Sequence, residues 1–180
     1  MKGAPFPDAT VAAPHRPGML SEGSGKGQTV IVRKAFVYRL YPTRAQATTM
    51  DTILWRTREL YNAGVEERRE AYRKAKVSLS GASQKAQLPG IKIIRPEYAD
   101  LDAQLLQDVL ERLDRAFAGF FRRIKTGKKP GYPRFRGPDR YDSFTFKQTG
   151  WQLAEGRLAL RGIGALRSAG AARSRVRSRR

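Results

Sequence analysis

The sequence predicts an α+β fold in which a helical lobe is inserted into a small, incomplete β-barrel, with disordered stretches at both ends. Three observations lead there. A stretch near residue 30 alternates with a period of two. Two later stretches repeat apolar residues at helical spacing. Short runs of strand-forming residues, separated by glycine turns, then return beyond residue 140. One barrel interrupted by helices explains the order strand, helix, helix, strands more simply than two unrelated domains.

Residues 1–29 hold four prolines and five glycines without an apolar period, and read as a flexible leader. Residues 30–42 read as the first barrel strand, with Val30, Val32, Phe36, Tyr38 and Leu40 on one face and Pro42 as its end. A helical lobe over 43–126 follows. Thr43 and Gln46 have the spacing of a capping box, and behind them Ala47, Met50, Leu54, Tyr61 and Val65 step along one helical face as far as about Ala75. Glu66, Glu67 and Glu70 among Arg68, Arg69, Arg73 and Lys74 read as a solvated, mixed-charge end. Gly81, Pro89, Gly90 and Pro96 break residues 77–100 into a loop-rich connection. Leu106, Leu110, Leu113, Phe117, Phe120 and Ile124 then define a second helix over 101–125, packed antiparallel on the first and closed by Gly127. Residues 127–166 read as the rest of the barrel, with strands at Ser143–Lys147, Trp151–Leu153 and Arg157–Leu160. From Arg161 to Arg180 there are seven arginines and no acid, and residues 167–180 read as a disordered Arg-rich tail.

Charge narrows the function. The chain has 36 Lys and Arg against 16 Asp and Glu, a net charge of +20 over 180 residues. Such an excess repels itself unless a polyanion neutralises it, and nucleic acid is the commonest one. An anionic membrane is the rival, but no apolar run is long enough to span a bilayer and the N-terminus has no signal-peptide pattern. A cytoplasmic protein is expected, nucleoid-associated when bound to DNA; its oligomeric state stays open. There is no cysteine, and His15 is the single histidine. Disulfides, Cys-ligated zinc and thiol chemistry are thereby excluded, and a His-based site is disfavoured. Asp100, Asp102, Asp108, Glu111 and Asp114 cluster around the start of the second helix, where the helix dipole and solvation account for them. No catalytic residue, metal or cofactor is expected within this chain.

The functional signal lies between Phe121 and Lys147. Arg122, Arg123, Lys125, Lys128, Lys129, Arg134, Arg136 and Arg140 are interleaved with Tyr132, Phe135, Tyr141, Phe144 and Phe146. Cations neutralise phosphate, rings stack on exposed bases, and the prolines and glycines keep the backbone extended. Phe144 and Phe146 serve equally as barrel core. Trp55 shares a helical face with Asp51, Arg58 and Asn62, either as a stacking platform or packed under a loop. Arg112, Arg115 and Arg122 form a basic flank that is a phosphate track or a plain solvated face. The candidate nucleic-acid contacts are Arg33, Lys34, Arg39, Trp55, Arg115, Arg122, Arg123, Lys128, Lys129, Tyr132, Arg134, Phe135, Arg136 and Arg140.

Five blocks in order resemble one family. Arg33-Lys-Ala-Phe-Val-Tyr-Arg-Leu-Tyr-Pro-Thr43 is similar to the opening of TnpB (OrfB) proteins, transposon-encoded relatives of type V CRISPR effectors. Leu60-Tyr-Asn62 with Glu67-Arg-Arg-Glu-Ala-Tyr72 resembles that family's first helix, and Leu106 to Arg123 its second. Lys129-Pro-Gly-Tyr-Pro-Arg-Phe-Arg136 and Asp142-Ser-Phe-Thr-Phe146 complete the run. The resemblance extends from about Val32 to Leu166. It implies a wedge-type barrel interrupted by a recognition lobe, a region described in that family as helix-turn-helix. It also implies binding of guide RNA and of target DNA, with sequence read by base pairing. The family's cleavage comes from a later nuclease domain with three metal-binding carboxylates beside a Cys-rich zinc ribbon, neither of which this sequence contains. The low-complexity stretch after Leu166 departs from the family, so a truncated or frameshifted element product is expected. A basic interaction protein with only non-specific binding is the alternative. A true helix-turn-helix reader fits less well, because about 25 residues separate the two helices.

Overall fold

The computed structural model describes residues 34–147, 150–169 and 172–176. The whole of the expected leader lies outside them, as do residues 30–33 of the expected first strand, Arg33 included. The strand expected over 30–42 is two strands, β1 (Lys34–Val37) and β2 (Leu40–Tyr41). Four more follow the helices: β3 (Trp151–Ala154), β4 (Arg157–Leu160), β5 (Gly164–Ser168) and β6 (Ala172–Val176). The break at Tyr38 and Arg39 has a topological cause. β1 pairs antiparallel with β6, whereas β2 joins β5 in a four-stranded antiparallel sheet of order β2-β5-β4-β3. The described strands therefore form an open sheet and a separate pair. Glu155 and Gly156, at φ 49° and 71°, turn β3 into β4 with the left-handed backbone of a two-residue hairpin loop.

Two expectations about strands need correction. Ser143–Lys147 is no strand, although its residues alternate. The stretch read as a disordered tail contains the last residues of β5 and all of β6.

The first helix, α1 (Arg44–Ala75), begins and ends where its sequence signals lie. Gln46 N donates to Thr43 Oγ1 at 3.3 Å and Thr43 N donates to Gln46 Oε1 at 3.0 Å, closing the capping box. At the other end Lys76 turns left-handed, at φ 57°, and Val77 N donates back to the Ala71 carbonyl. The loop-rich connection expected over 77–100 is instead α2 (Gly81–Ala86), α3 (Leu88–Ile94) and a 3₁₀ turn (Pro96–Tyr98). Ser80 caps α2 through its hydroxyl. Pro89 sits in the first turn of α3, where its missing N–H leaves no bond unmade. The last helix, α4 (Ala103–Lys125), is capped by Asp102, which accepts from Gln104 N at 2.8 Å. Gly127, at φ 65°, closes it, with Gly127 N on the Ile124 carbonyl and Lys128 N on the Arg123 carbonyl.

α1 and α4 run parallel, not antiparallel. Ile53 and Leu105 line one cavity, Gly64 lies against Leu110 and Leu113, and Arg68 reaches Asp114, so residue numbers rise together along the pair. The return leg makes this arrangement possible. Gly81 packs on Asp114, Gln84 hydrogen-bonds the Gly64 carbonyl, and the Tyr98 hydroxyl reaches the Arg56 carbonyl. At 1.5 Å per helical residue, 81–98 covers roughly 25 Å, enough to carry the chain back beside α1.

One core joins lobe and sheet. Leu60, Tyr61 and Val65 of α1 and Leu105, Leu106, Leu110 and Leu113 of α4 cluster with Leu158, Leu160, Ile163 and Leu166. Arg68 is buried within it, not solvated as its acidic and basic neighbours suggest. Its Nε donates to Gln84 Oε1 at 2.8 Å, its Nη2 meets Asp114 at 3.0 Å, and its guanidinium covers the Phe117 ring at 4.7 Å. Gln84 in turn donates to Glu67 at 2.7 Å. Each buried polar group in this chain of contacts has a partner.

Candidate nucleic-acid interface

Residues 128–147 form a strap laid across the lobe. It contains no regular strand, because its backbone finds partners on helix side chains. Arg123 Nη2 donates to the Gly131 carbonyl at 3.0 Å. Asn62 acts as a one-residue strand partner: its Nδ2 donates to the Arg136 carbonyl at 3.0 Å, and Arg136 N donates to its Oδ1 at 2.8 Å. Arg112, fixed by Asp108 at 2.8 Å, donates to the Ser143 carbonyl at 2.8 Å and to Thr145 Oγ1 at 2.6 Å. Lys147 Nζ meets Glu111 at 2.6 Å. That bond from Lys147 holds the Glu111 carboxyl below its ordinary pKa, against burial and the nearby Asp108.

The strap's rings divide into two groups. Tyr141 is buried against Tyr61, with centroids 6.0 Å apart. Phe144 and Phe146 meet edge-on at 5.7 Å and pack on the core, which is their structural role. Tyr132 and Phe135 stay 43% and 46% exposed. Tyr132 stands edge-on to Phe117 and Phe120, at 5.5 and 5.3 Å, so its ring is held while one side remains open. Partial burial raises its hydroxyl pKa, with Arg69 and Arg68 acting the other way. Phe121, edge-on to Phe120 on α4, is 49% exposed.

The cations divide as well. On the helical lobe Arg56, Arg68, Arg73, Lys74, Lys85, Arg95 and Arg112 all reach carboxylates. Between Arg122 and Arg140 the sequence holds one acid, Asp139. Among the described residues none of Arg122, Arg123, Lys125, Lys128, Lys129, Arg134, Arg136 and Arg140 has an ion pair. All but Arg123 are exposed. Arg140 sits in a 3₁₀ turn (Pro138–Arg140), and the Arg136 guanidinium lies 5.8 Å from the Tyr61 ring centroid.

The remaining sequence candidates lie elsewhere. Trp55 is 46% exposed on the first half of α1, under the Arg56 guanidinium at 4.3 Å rather than under a loop. Arg115 is exposed, 3.9 Å from Asp108. Lys34 is in β1, and Arg39 stands between the first two strands, 5.9 Å from the Tyr41 ring. Four of the five acidic residues around the start of α4 are held in contacts, and Asp108 is buried where solvation was expected. Asp102 caps the helix and pairs with Arg161 at 3.2 Å, while Asp108, Glu111 and Asp114 hold Arg112, Lys147 and Arg68. No group of three His, Cys, Asp or Glu among the described residues could hold a metal ion. No helix among them is long and apolar enough to cross a membrane. Sequence reasoning missed Asn62 and Arg112 as anchors, because the strap atoms they hold lie far along the chain, 74 residues from Asn62 and 31 to 33 from Arg112.

Fold and surface together define a basic α+β module with a fixed strap of open cations and rings. Residues 32–76 match the model of a helix-turn-helix domain family of OrfB-type insertion-sequence proteins. Over the described part of that span, from Lys34, the structure has β1, β2 and one unbroken helix, α1. The chain is also 31% identical over 107 residues to a protein of Streptomyces pristinaespiralis named, by inference, an RNA-guided DNA endonuclease. The matched stretch is 58% of this chain but 25% of the relative, so the chain spans about a quarter of that protein's length. Both matches agree in kind with the resemblance carried by the five sequence blocks.

Proposed function

We propose that this chain is the nucleic-acid-binding part of a TnpB-type RNA-guided DNA endonuclease, holding guide RNA and target DNA through the strap and performing no cleavage with its own residues. One observation carries the proposal. Cations without carboxylate partners stand beside open rings on a backbone already fixed by Asn62, Arg112 and Arg123. A surface ordered before binding loses little entropy when a polyanion arrives. On this reading the open sheet and the β1–β6 pair are parts of a wedge-type barrel, and the chain works on DNA in the cytoplasm.

The test is binding of RNA from the element's own right end, compared with unrelated RNA of equal length across a salt series. Tighter binding of the element's RNA, together with a steep salt dependence, is the expected result. Equal affinity for both would leave non-specific attraction to a cationic surface in its place. Replacing Arg134 and Arg136 together by Gln should lower the salt slope by about two, roughly one for each phosphate no longer neutralised.

A further inference from the structure

The exposed face of the sheet carries a row in direct cross-strand register. Tyr41 lies opposite Arg167, Arg167 opposite Arg157, and Arg157 opposite Ala154. Cross-strand partners share a face. Their neighbours Leu158 and Leu166 point into the core, so the row points away from it. Tyr41, Arg157 and Arg167 are all exposed. Like charges placed directly opposite each other destabilise a sheet. Neither Arg157 nor Arg167 has an ion pair or hydrogen bond from its side chain to any described residue. The contrast with Arg161 is direct, since that residue, one turn further on, meets Asp102 at 3.2 Å. Ala159 and Ala165, paired next to the two arginines, leave both guanidinium groups uncovered.

We propose that Arg157 and Arg167 form a phosphate-binding site that takes a phosphodiester of a nucleic-acid strand crossing the sheet, with Tyr41 at its end. Guanidinium groups are planar forks that match phosphate oxygens two at a time. An anion between them replaces a repulsion with two attractions, so the free protein is held in a state that binding relieves. The polynucleotide as source of the phosphate rests on the function proposed above; the phosphate chemistry does not, and the site shares no residue with the strap.

The test compares wild type, Arg157→Gln/Arg167→Gln and the strap variant Arg134→Gln/Arg136→Gln. For each, binding of a single-stranded oligonucleotide across a salt series is read alongside the melting temperature, with inorganic phosphate against sodium chloride at equal ionic strength as a separate arm. The sheet variant should melt no lower than wild type, bind several-fold more weakly, and lose about one unit of salt slope. Phosphate should raise the melting temperature of wild type more than that of the sheet variant. An unchanged slope and affinity in the sheet variant, with a lowered slope in the strap variant, would overturn the polynucleotide site and leave the strap standing. The reverse pattern would support the sheet site and remove the strap. Stabilisation by phosphate with no change in oligonucleotide binding would assign the pair to free phosphate, and equal stabilisation of both proteins would overturn the site altogether.

Discussion

Asn62 is a small side chain with a large effect, because one amide satisfies both the N–H and the C=O of Arg136. Asn62→Ala should destabilise the protein by about 1 kcal/mol in denaturant unfolding and expose the strap to proteolysis near Pro138. Asn62→Asp keeps the acceptor and loses the donor, so it should fall between wild type and the alanine variant; cleavage equal to wild type in the alanine variant would remove the clamp. Nothing in helical spacing announces Asn62, since its partner is 74 residues away. Arg68 is a different case, and its signal was present. It lies three residues after Val65 and seven after Tyr61, on the apolar stripe itself, and only the surrounding charges disguised it. Arg68→Ala leaves Gln84 Oε1 without its donor and uncovers Phe117, so a loss of about 2–3 kcal/mol is expected from thermal or denaturant melts.

Helices announce their ends locally, and here those ends were legible. Thr43 with Gln46, and Gly127 after Lys125, are local chemistry, and both ends fall where they point. Thr43→Ala should therefore cost about 1 kcal/mol. Gly127→Ala should cost a similar ~1 kcal/mol because of its positive φ. The shorter elements were not legible. α2 and α3 have six and seven residues, too few to display a helical period among their glycines and proline. Ser143–Lys147 alternates as a strand does, yet alternation identifies a face and not a partner, and its partners are Arg112 and Glu111. The parallel course of α1 and α4 was hidden for the same reason. Both apolar stripes are plain in the sequence, but their relative direction depends on whether the connection doubles back.

At the scale of the molecule, charge is unevenly matched. Carboxylates are concentrated on the lobe, where Glu59 and Glu111 are held below their ordinary pKa by Arg95 and Tyr98 and by Lys147, in each case against the opposing effect of burial. A depressed carboxyl stabilises the fold above its unfolded pKa, and that contribution disappears as pH falls through the folded value. Melting temperature should hold steady from neutral pH down to about 5 and then decline below the usual carboxylate range of about 4. A decline beginning near pH 7 would contradict this. The net charge of +20 has the opposite sensitivity. Added salt should raise the melting temperature of the free protein by screening its self-repulsion, while weakening every polyanion complex. Opposite responses of stability and binding to salt can be read from one titration series.

The parallel pairing of α1 with α4 also has a consequence in time. A helical hairpin closes as soon as its second arm exists, but here the partner of Leu60 and Val65 lies near Leu110 and Leu113, about 50 residues later. At ribosomal rates of about 5–20 residues per second, the apolar stripe of α1 leaves the ribosome and waits roughly 3–10 seconds for its cover. β1 waits longer still, since its partner β6 is the last strand described. The order of synthesis thus leaves the opening segment the longest uncovered, and a nascent chain of this protein is expected to engage chaperones through α1 before it engages anything else.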